Sequence, residues 1–430
     1  MNKSPVPPNP YIVGGWVTGK DFYGHTLLRH DILYGPNNYV WVIGTRRVGK
    51  TSLLRQLALD AGPPYLPIYW DLQGCESAAD LGDELFYAVE EHQAAFAALG
   101  LDIAPLENSS LRRQLRTLCQ AAAAHDRTLL LLIDEPEVLI AIAEREPVQV
   151  QRLRAAFQRP TNLRVVLAST KSLTRLEEIS EAWPTSPFLA GFIPRHLSGL
   201  GPEEAEGLIR QVRAPQRTQV DEETVAAIQA ITNNHAFLVQ WLCYRLYQPD
   251  GSLRRPGPSD IYLDPMMASL FQQTYKHLSP SERLILLRLS QGGPCSVEGL
   301  AEALQIDVTA TRIYLYALNR LGYTRKNAAT GCIIIGNDFF QLWLEGNHAK
   351  MALDDAEVTD SSVQDLARAG KEQERGYWQQ QLHVYRLNLA RLEVQAANYG
   401  IDTPLKLQNE LEFHHRKIAE LEARLDTLPV

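Results

Sequence analysis

Residues 44–51 read Gly44-Thr45-Arg46-Arg47-Val48-Gly49-Lys50-Thr51, an ungapped GxxxxGK[ST] pattern. Its flanks supply the context that the pattern needs. Before it, Tyr39-Val40-Trp41-Val42-Ile43 is an apolar run suited to a buried strand, and after it Ser52-Leu53-Leu54-Arg55-Gln56-Leu57 is patterned as a helix. Gly44 and Gly49 let the backbone bend so that successive N–H groups face phosphate oxygens, and the following helix adds the positive end of its dipole. Lys50 then reaches the β- and γ-phosphates, and Thr51 supplies a hydroxyl to Mg²⁺, a cation that keeps several waters and takes few protein ligands. The expected binding set is Gly44, Thr45, Arg46, Arg47, Val48, Gly49, Lys50, Thr51 and Ser52, holding a nucleoside triphosphate with Mg²⁺.

Downstream of the loop, strand and helix patterns alternate. Tyr65-Leu66-Pro67-Ile68-Tyr69-Trp70-Asp71 reads as a second strand, with helices over about 77–99 and 108–126. Such alternation favours a parallel sheet with helices on its faces, because parallel neighbours need a crossover connection. Thr128-Leu129-Leu130-Leu131-Leu132-Ile133 is apolar without periodicity, as in a strand buried on both faces, and it ends in Asp134-Glu135. Ligands of doubly wound sheets sit outside the carboxyl ends of the strands, so this acid pair is expected at the phosphates. Asp134 is the expected partner of Thr51 at the metal, and Glu135 the base that polarises the attacking water. A further run, Leu163-Arg164-Val165-Val166-Leu167-Ala168, ends in Ser169-Thr170, which either sense the γ-phosphate or cap the next helix.

Beyond Phe192 the pattern turns helical, over about 202–213, 221–232 and 234–247, and predicts a lid over the nucleotide. A Pro/Gly-rich stretch that includes Asp250-Gly251-Ser252 and Arg254-Arg255-Pro256-Gly257-Pro258-Ser259 reads as a linker. Helical patterns over 281–290, 296–304 and 307–321, followed by two short strands flanking a turn, predict a winged helix-turn-helix. Its presumed recognition helix carries only Arg312 and Arg320 as bases, and Arg325 and Lys326 add little in the wing, so DNA is the less favoured partner. After acids at 354–360, Leu382, Tyr385, Leu389, Leu392, Ala396 and Tyr399, then Leu407, Leu411, His414, Ile418, Leu421, Leu425 and Leu428, recur at coiled-coil steps on either side of Gly400. The short connection predicts an antiparallel helical hairpin, either packed on the body of its own chain or serving as an interaction arm.

The predicted organisation is an N-terminal arm and entry helix over 1–38, an ATPase core over 39–198, a helical lid over 199–249 and a linker over 250–263. A winged-helix domain over 264–347, a second linker over 348–376 and the hairpin over 377–430 complete it. A chain of 430 residues with 45% hydrophobic and 21% charged residues has room for several globular cores. The net charge of −8 argues against a broad nonspecific nucleic-acid surface. The five cysteines are dispersed without a CxxC pair, which suggests neither a zinc site nor a disulfide framework. No stretch approaches membrane-spanning length and no secretory leader is recognisable, so a cytoplasmic location is expected.

With loop, acidic strand end, lid and winged helix in this order, residues 10–346 resemble the signal-transducing ATPases with numerous domains (STAND) and their archaeal-type relatives in the AAA+ P-loop superfamily. The resemblance rests on Asn9-Pro10-Tyr11-Ile12-Val13-Gly14, Phe22-Tyr23-Gly24, the loop with its Arg46-Arg47 pair, Ile133-Asp134-Glu135, and Phe339-Phe340-Gln341-Leu342-Trp343-Leu344. It implies ATP as the nucleotide, an adenine pocket lined by residues ahead of the loop, and nucleotide-controlled opening and self-association. Two positions depart from the family: His25 stands where arginine is common, and Asn234-His235-Ala236 replaces a Gly-x-Pro turn of the lid. Neither an effector domain nor a ligand-sensing repeat is recognisable. The resemblance therefore implies a slow ATPase switch that takes its input or output from a protein partner, with the hairpin as the docking surface. A DNA-associated loader or transposition-type regulator is the alternative. Arg46, Arg47 and Arg195 are candidates for an arginine finger.

Overall fold

The computed structural model describes residues 8–183 and 186–356, together with positions 382, 386, 389, 392, 393, 411, 412, 414–419 and 421–423. In chain order the regular elements begin with α1 (Thr26–Tyr34), β1 (Tyr39–Ile43), α2 (Lys50–Asp60), β2 (Tyr65–Asp71), α3 (Ala78–Glu90), α4 (Gln93–Ala98) and α5 (Leu111–Ala123). β3 (Thr128–Asp134), α6 (Val138–Arg145), α7 (Pro147–Gln158), β4 (Leu163–Ser169), α8 (Thr174–Glu181) and β5 (Ile193–His196) follow. Next come α9 (Pro202–Ile209), α10 (Glu222–Thr232), α11 (Ala236–Leu246) and α12 (Pro265–Lys276). The last are α13 (Pro280–Gly292), α14 (Val297–Leu304), α15 (Val308–Arg320), β6 (Thr324–Lys326), β7 (Ile333–Ile335) and α16 (Asp338–Ala356).

These elements fall into two compact units. The first holds the described residues up to Leu278 with Leu318–Arg325 and Ile335–Trp343. Its centre is a parallel sheet of five strands in the order β2-β3-β4-β1-β5, the α/β architecture of a P-loop NTPase. β3 and β4 are buried along nearly their whole length, as their unbroken apolar runs require. β2 lies at the sheet edge, alternates buried with half-buried residues, and tolerates Pro67 because an edge strand can spare one N–H donor. Leu53, Leu54 and Leu57 of α2 are fully buried against Val40 and Val42 of β1, Leu130 and Leu132 of β3, and Val166 of β4. Each such leucine contributes about 1.5–3 kcal/mol relative to exposure, and together they fix the helix that follows the loop.

Two helical stretches differ from the sequence expectation. The helix expected over 77–99 is divided at His92, whose Nδ1 lies 3.0 Å from the Ala88 carbonyl, so a ring nitrogen occupies an acceptor of the helical ladder. The helices α9, α10 and α11, expected as a lid, are shorter than their patterns, and Asn233 and Asn234 both take left-handed backbone between the last two.

The second unit holds Ser279–Ala317, Lys326–Ile334 and the described residues from Leu344 on. Ser279 and Glu282 form a capping box that starts α13, and the Ser296 hydroxyl caps α14. Cys295 and Ile333 exchange both backbone hydrogen bonds, which ties the start of β7 to the segment before α14. α16 runs on to Ala356, into the stretch expected as a linker, because His348-Ala349-Lys350-Met351-Ala352-Leu353 contains no helix breaker. Towards the C-terminus, Arg386 donates to Glu422 at 2.6 Å, and Glu393 lies 3.8 Å from His415. Leu382 and Leu421 are buried. The rest of the expected hairpin over 377–430 lies outside the described residues.

Candidate functional site

The loop leaves β1 at Gly44, whose N–H donates to the Ser169 carbonyl at 3.0 Å. A Cβ at Gly44 would meet Val48 Cγ1 at 2.7 Å and the Leu197 carbonyl oxygen at 3.1 Å, so only glycine allows this close approach. Gly49, at φ 111°, turns the chain into α2 and caps it without a side chain. The first-turn N–H groups of a helix have no carbonyl partner of their own and are available to a phosphate. Arg47 also takes left-handed backbone, at φ 59°.

Lys50 is buried, and its Nζ donates to the Gly44 and Thr45 carbonyls at 3.3 and 3.1 Å. Burial lowers its pKa, and the nearby carboxylates of Glu137, Glu135 and Asp134 oppose that shift. Thr51 Oγ1 donates to Asp134 Oδ2 at 2.7 Å, so the hydroxyl and the carboxylate expected at the metal are in contact. Asp134 is 2% exposed, and desolvation raises its pKa from the ordinary carboxyl value. Glu135 follows at φ 51°, a left-handed conformation that costs a non-glycine residue about 1–3 kcal/mol and tends to gather at functional sites. Its carboxyl is likewise raised, by burial first and then by the like charge of Glu137.

Three carboxylates, Asp134 buried and Glu135 and Glu137 half-buried, therefore lie near one lysine, an excess of negative charge that a hard divalent cation would relieve. A threonine hydroxyl and a carboxylate oxygen, with phosphate and water completing the shell, suit Mg²⁺. Thr51 and Asp134 are the residues that would hold it.

Arg46, Arg47, Val48, Gly49, Lys50, Thr51, Ser52 and Glu135 border one cavity of about 550 Å³. Ile12, Gly14–Val17 and Asp21–Tyr23 border it from the N-terminal side, Leu208 of α9 and Ala236, Phe237 and Gln240 of α11 from a second side, and Met266 to Gln273 of α12 from a further side. His25 borders it as well, with left-handed backbone and a ring whose pKa burial lowers. Gly44 and Thr45 instead border small adjoining cavities. The Ser52 side chain accepts the Val17 N–H at 3.0 Å, so its hydroxyl holds the N-terminal segment against the helix.

Of the arginine-finger candidates, Arg195 is paired with Asp31 at 2.7 Å within its own unit. Arg46 and Arg47 are exposed at the cavity, with Arg47 over the Phe237 ring. Ser169 Oγ accepts from Trp41 Nε1 at 2.7 Å and is turned into the sheet. Thr170 starts the short 3-10 helix Lys171–Leu173 but makes no side-chain cap there.

Sequence reasoning missed Glu137. Its Oε1 accepts from Thr170 N at 2.6 Å and Thr170 Oγ1 at 2.8 Å, while its Oε2 is buried with no hydrogen-bond partner among the described residues. The only signal was a third acid in Asp134-Glu135-Pro136-Glu137. Tyr69 was missed too: its hydroxyl donates to Asp134 Oδ2 at 2.9 Å, a contact that the strand pattern of β2 does not announce.

This arrangement of loop and acidic strand end suits the phosphates of a bound nucleotide. In agreement, the family model for the AAA domain matches residues 36–177. Among solved structures, the chain is similar to a Walker-type ATPase of Pyrococcus abyssi, with a TM-score of 0.55 at 17% identity over 78% of this chain and 99% of that one. Looser matches include the ORC2 protein of Aeropyrum pernix, solved as ADPNP and ADP complexes (TM-score 0.39, 11% identity, 75% of this chain and 92% of that one). Cdc6p of Pyrobaculum aerophilum is another (TM-score 0.36, 14% identity, 76% and 92%). At these identities the likeness is one of fold alone. No curated protein matches the chain.

Proposed function

We propose that the protein binds ATP with Mg²⁺ and hydrolyses it slowly, as a molecular switch of the STAND and AAA+ kind. The observation that carries this reading is the meeting of Lys50, Thr51, Asp134 and Glu135 at the carboxyl edge of one sheet, beside a cavity closed by the lid and the N-terminal segment. In the proposed reaction Lys50 holds the β- and γ-phosphates, and Glu135, whose raised pKa suits a proton acceptor, directs water at the γ-phosphate. Thr51 and Asp134 would hold Mg²⁺, which when bound would supply charge neutralisation at the phosphates. Rate enhancement in such a site comes mainly from positioning and charge stabilisation, and an arginine finger adds roughly 10³–10⁵. Arg46 and Arg47 remain the candidates for that role.

Nucleotide state would set the position of the lid helices α9 to α11, and with it self-association and binding of a protein partner through the C-terminal hairpin. The chain is proposed to act in the cytoplasm; among the described residues no helix is long and apolar enough to cross a membrane. The second reading, a DNA-associated ATPase, depends on α13 to α15 and the β6-β7 pair acting as a winged helix. Arg312 is paired with Glu298 at 3.0 Å, Arg325 is only part-exposed, and the expected recognition helix carries few basic residues, so the switch is preferred. Phosphate release by the wild type, Lys50→Ala and Glu135→Gln tests the ATPase. Both substitutions are expected to abolish turnover, and equal rates in all three proteins would sink the assignment.

A further inference from the structure

Asp134 is held by more donors than the loop alone provides. Its Oδ2 accepts from both Thr51 Oγ1 and Tyr69 Oη, at 2.7 and 2.9 Å, and its Oδ1 accepts from Glu135 N at 3.1 Å. A carboxylate has about four lone-pair sites, so three protein donors fix its rotation and leave little capacity uncommitted. Tyr69 reaches this position from β2, where it stands in register with Leu132 of β3.

The tyrosine is itself backed. The Arg55 guanidinium carbon lies 4.1 Å from the Tyr69 ring centroid and 4.4 Å from that of Trp16. Arg55 Nε is buried without a hydrogen-bond partner among the described residues, so the ring faces supply much of what stabilises this cation. Trp16 belongs to the N-terminal segment that borders the cavity. That segment is fastened to α2 by Val17 N–H on Ser52 Oγ at 3.0 Å and by Gly19 N–H on Gln56 Oε1 at 2.7 Å. The contacts form one chain from Trp16 through Arg55 and Tyr69 to Asp134 and Thr51.

We propose that Tyr69, backed by Arg55 and Trp16, is the positioning residue for Asp134 and thereby couples Mg²⁺ affinity to docking of the N-terminal segment on α2. This rests on the ATP·Mg²⁺ reading above. Groups that orient a metal ligand through a hydrogen bond commonly change metal affinity by about 10–100-fold when removed. A tyrosine that merely satisfies its own hydroxyl would change stability and leave the metal dependence alone.

The test is calorimetric binding of a non-hydrolysable ATP analogue to the full chain, in EDTA and over a series of Mg²⁺ concentrations. Tyr69→Phe is expected to raise the half-saturating Mg²⁺ concentration by roughly tenfold while affinity in EDTA stays that of the wild type. Arg55→Met, which keeps the hydroxyl, should shift it in the same direction by less, and it carries the test if Tyr69→Phe does not fold. Unchanged Mg²⁺ midpoints, or an equal loss of affinity with and without Mg²⁺, overturn the proposal while the ATP reading stands. A wild-type chain that binds no analogue under any condition overturns both.

Discussion

Glu137 lies near Lys50 and is hydrogen-bonded to Thr170, which stands at the end of β4, the strand between the loop strand β1 and the acid strand β3. Both the N–H and the hydroxyl of Thr170 are committed to Glu137 Oε1, so the glutamate sets where that threonine points. Glu137→Ala is expected to release Thr170 and lower turnover by about 10²-fold, the cost of a misplacement near one ångström, with analogue affinity unchanged. Glu137→Gln, which keeps an oxygen acceptor, should retain most of the activity. Phosphate release measured beside calorimetry checks both, and an alanine variant with wild-type turnover would remove Glu137 from the site. The residues of the loop and the acid pair were legible because their signal is local, a glycine spacing in one case and a strand that ends in acids in the other. Glu137 and Tyr69 were not legible, since each acts on a residue 33 or 65 positions away and only sheet pairing brings them together.

The segment 250–263, which composition marks as a linker, is held in place by its own charges. Arg254 makes a two-pronged contact with Asp260, both bonds at 2.6 Å, and Asp260 also accepts the Gly257 N–H at 2.8 Å. This pairing pulls the Asp260 carboxyl down to about 2. In an unfolded chain the same group protonates near pH 4. Its contribution is therefore complete above about pH 4 and is lost as the pH falls towards 2. Asp260→Asn is expected to lower the local opening free energy of this segment by about 1–3 kcal/mol at neutral pH. Exchange of the Gly257 amide reads this, and wild type and variant should converge as the pH drops through that window. Equal exchange at pH 7 would show that the pairing does not hold the segment. Among strands, β3 and β4 were readable from apolar runs, whereas β5 was not: Pro194, Arg195 and His196 give it no strand signature, and its pairing with Val40–Ile43 alone defines it.

At the scale of the whole molecule, the proposed switch must place enough differential binding energy in the nucleotide to move a population. Inverting a 1:99 distribution takes about 5.5 kcal/mol, which the phosphate-directed groups of one loop and two acids are suited to supply. Mass photometry with ADP, ATP and a non-hydrolysable analogue should show a higher mass with the analogue than with ADP, and Lys50→Ala should abolish the difference. A single mass under all three conditions would remove self-association from the proposal. The strand order has a further consequence, for synthesis. β1 lies between β4 and β5, so Tyr39 pairs with Val165 and Val40 with Ile193. A nascent chain still short of Leu163 has made the phosphate loop but lacks both flanks that hold its strand, and one still short of Ile193 lacks the β5 flank. At translation rates of about 5–20 residues per second, the loop emerges roughly 8–30 s before its sheet can close. Over that interval β1, with Val40, Trp41 and Val42, is an apolar strand with at least one edge unpaired, open to a chaperone.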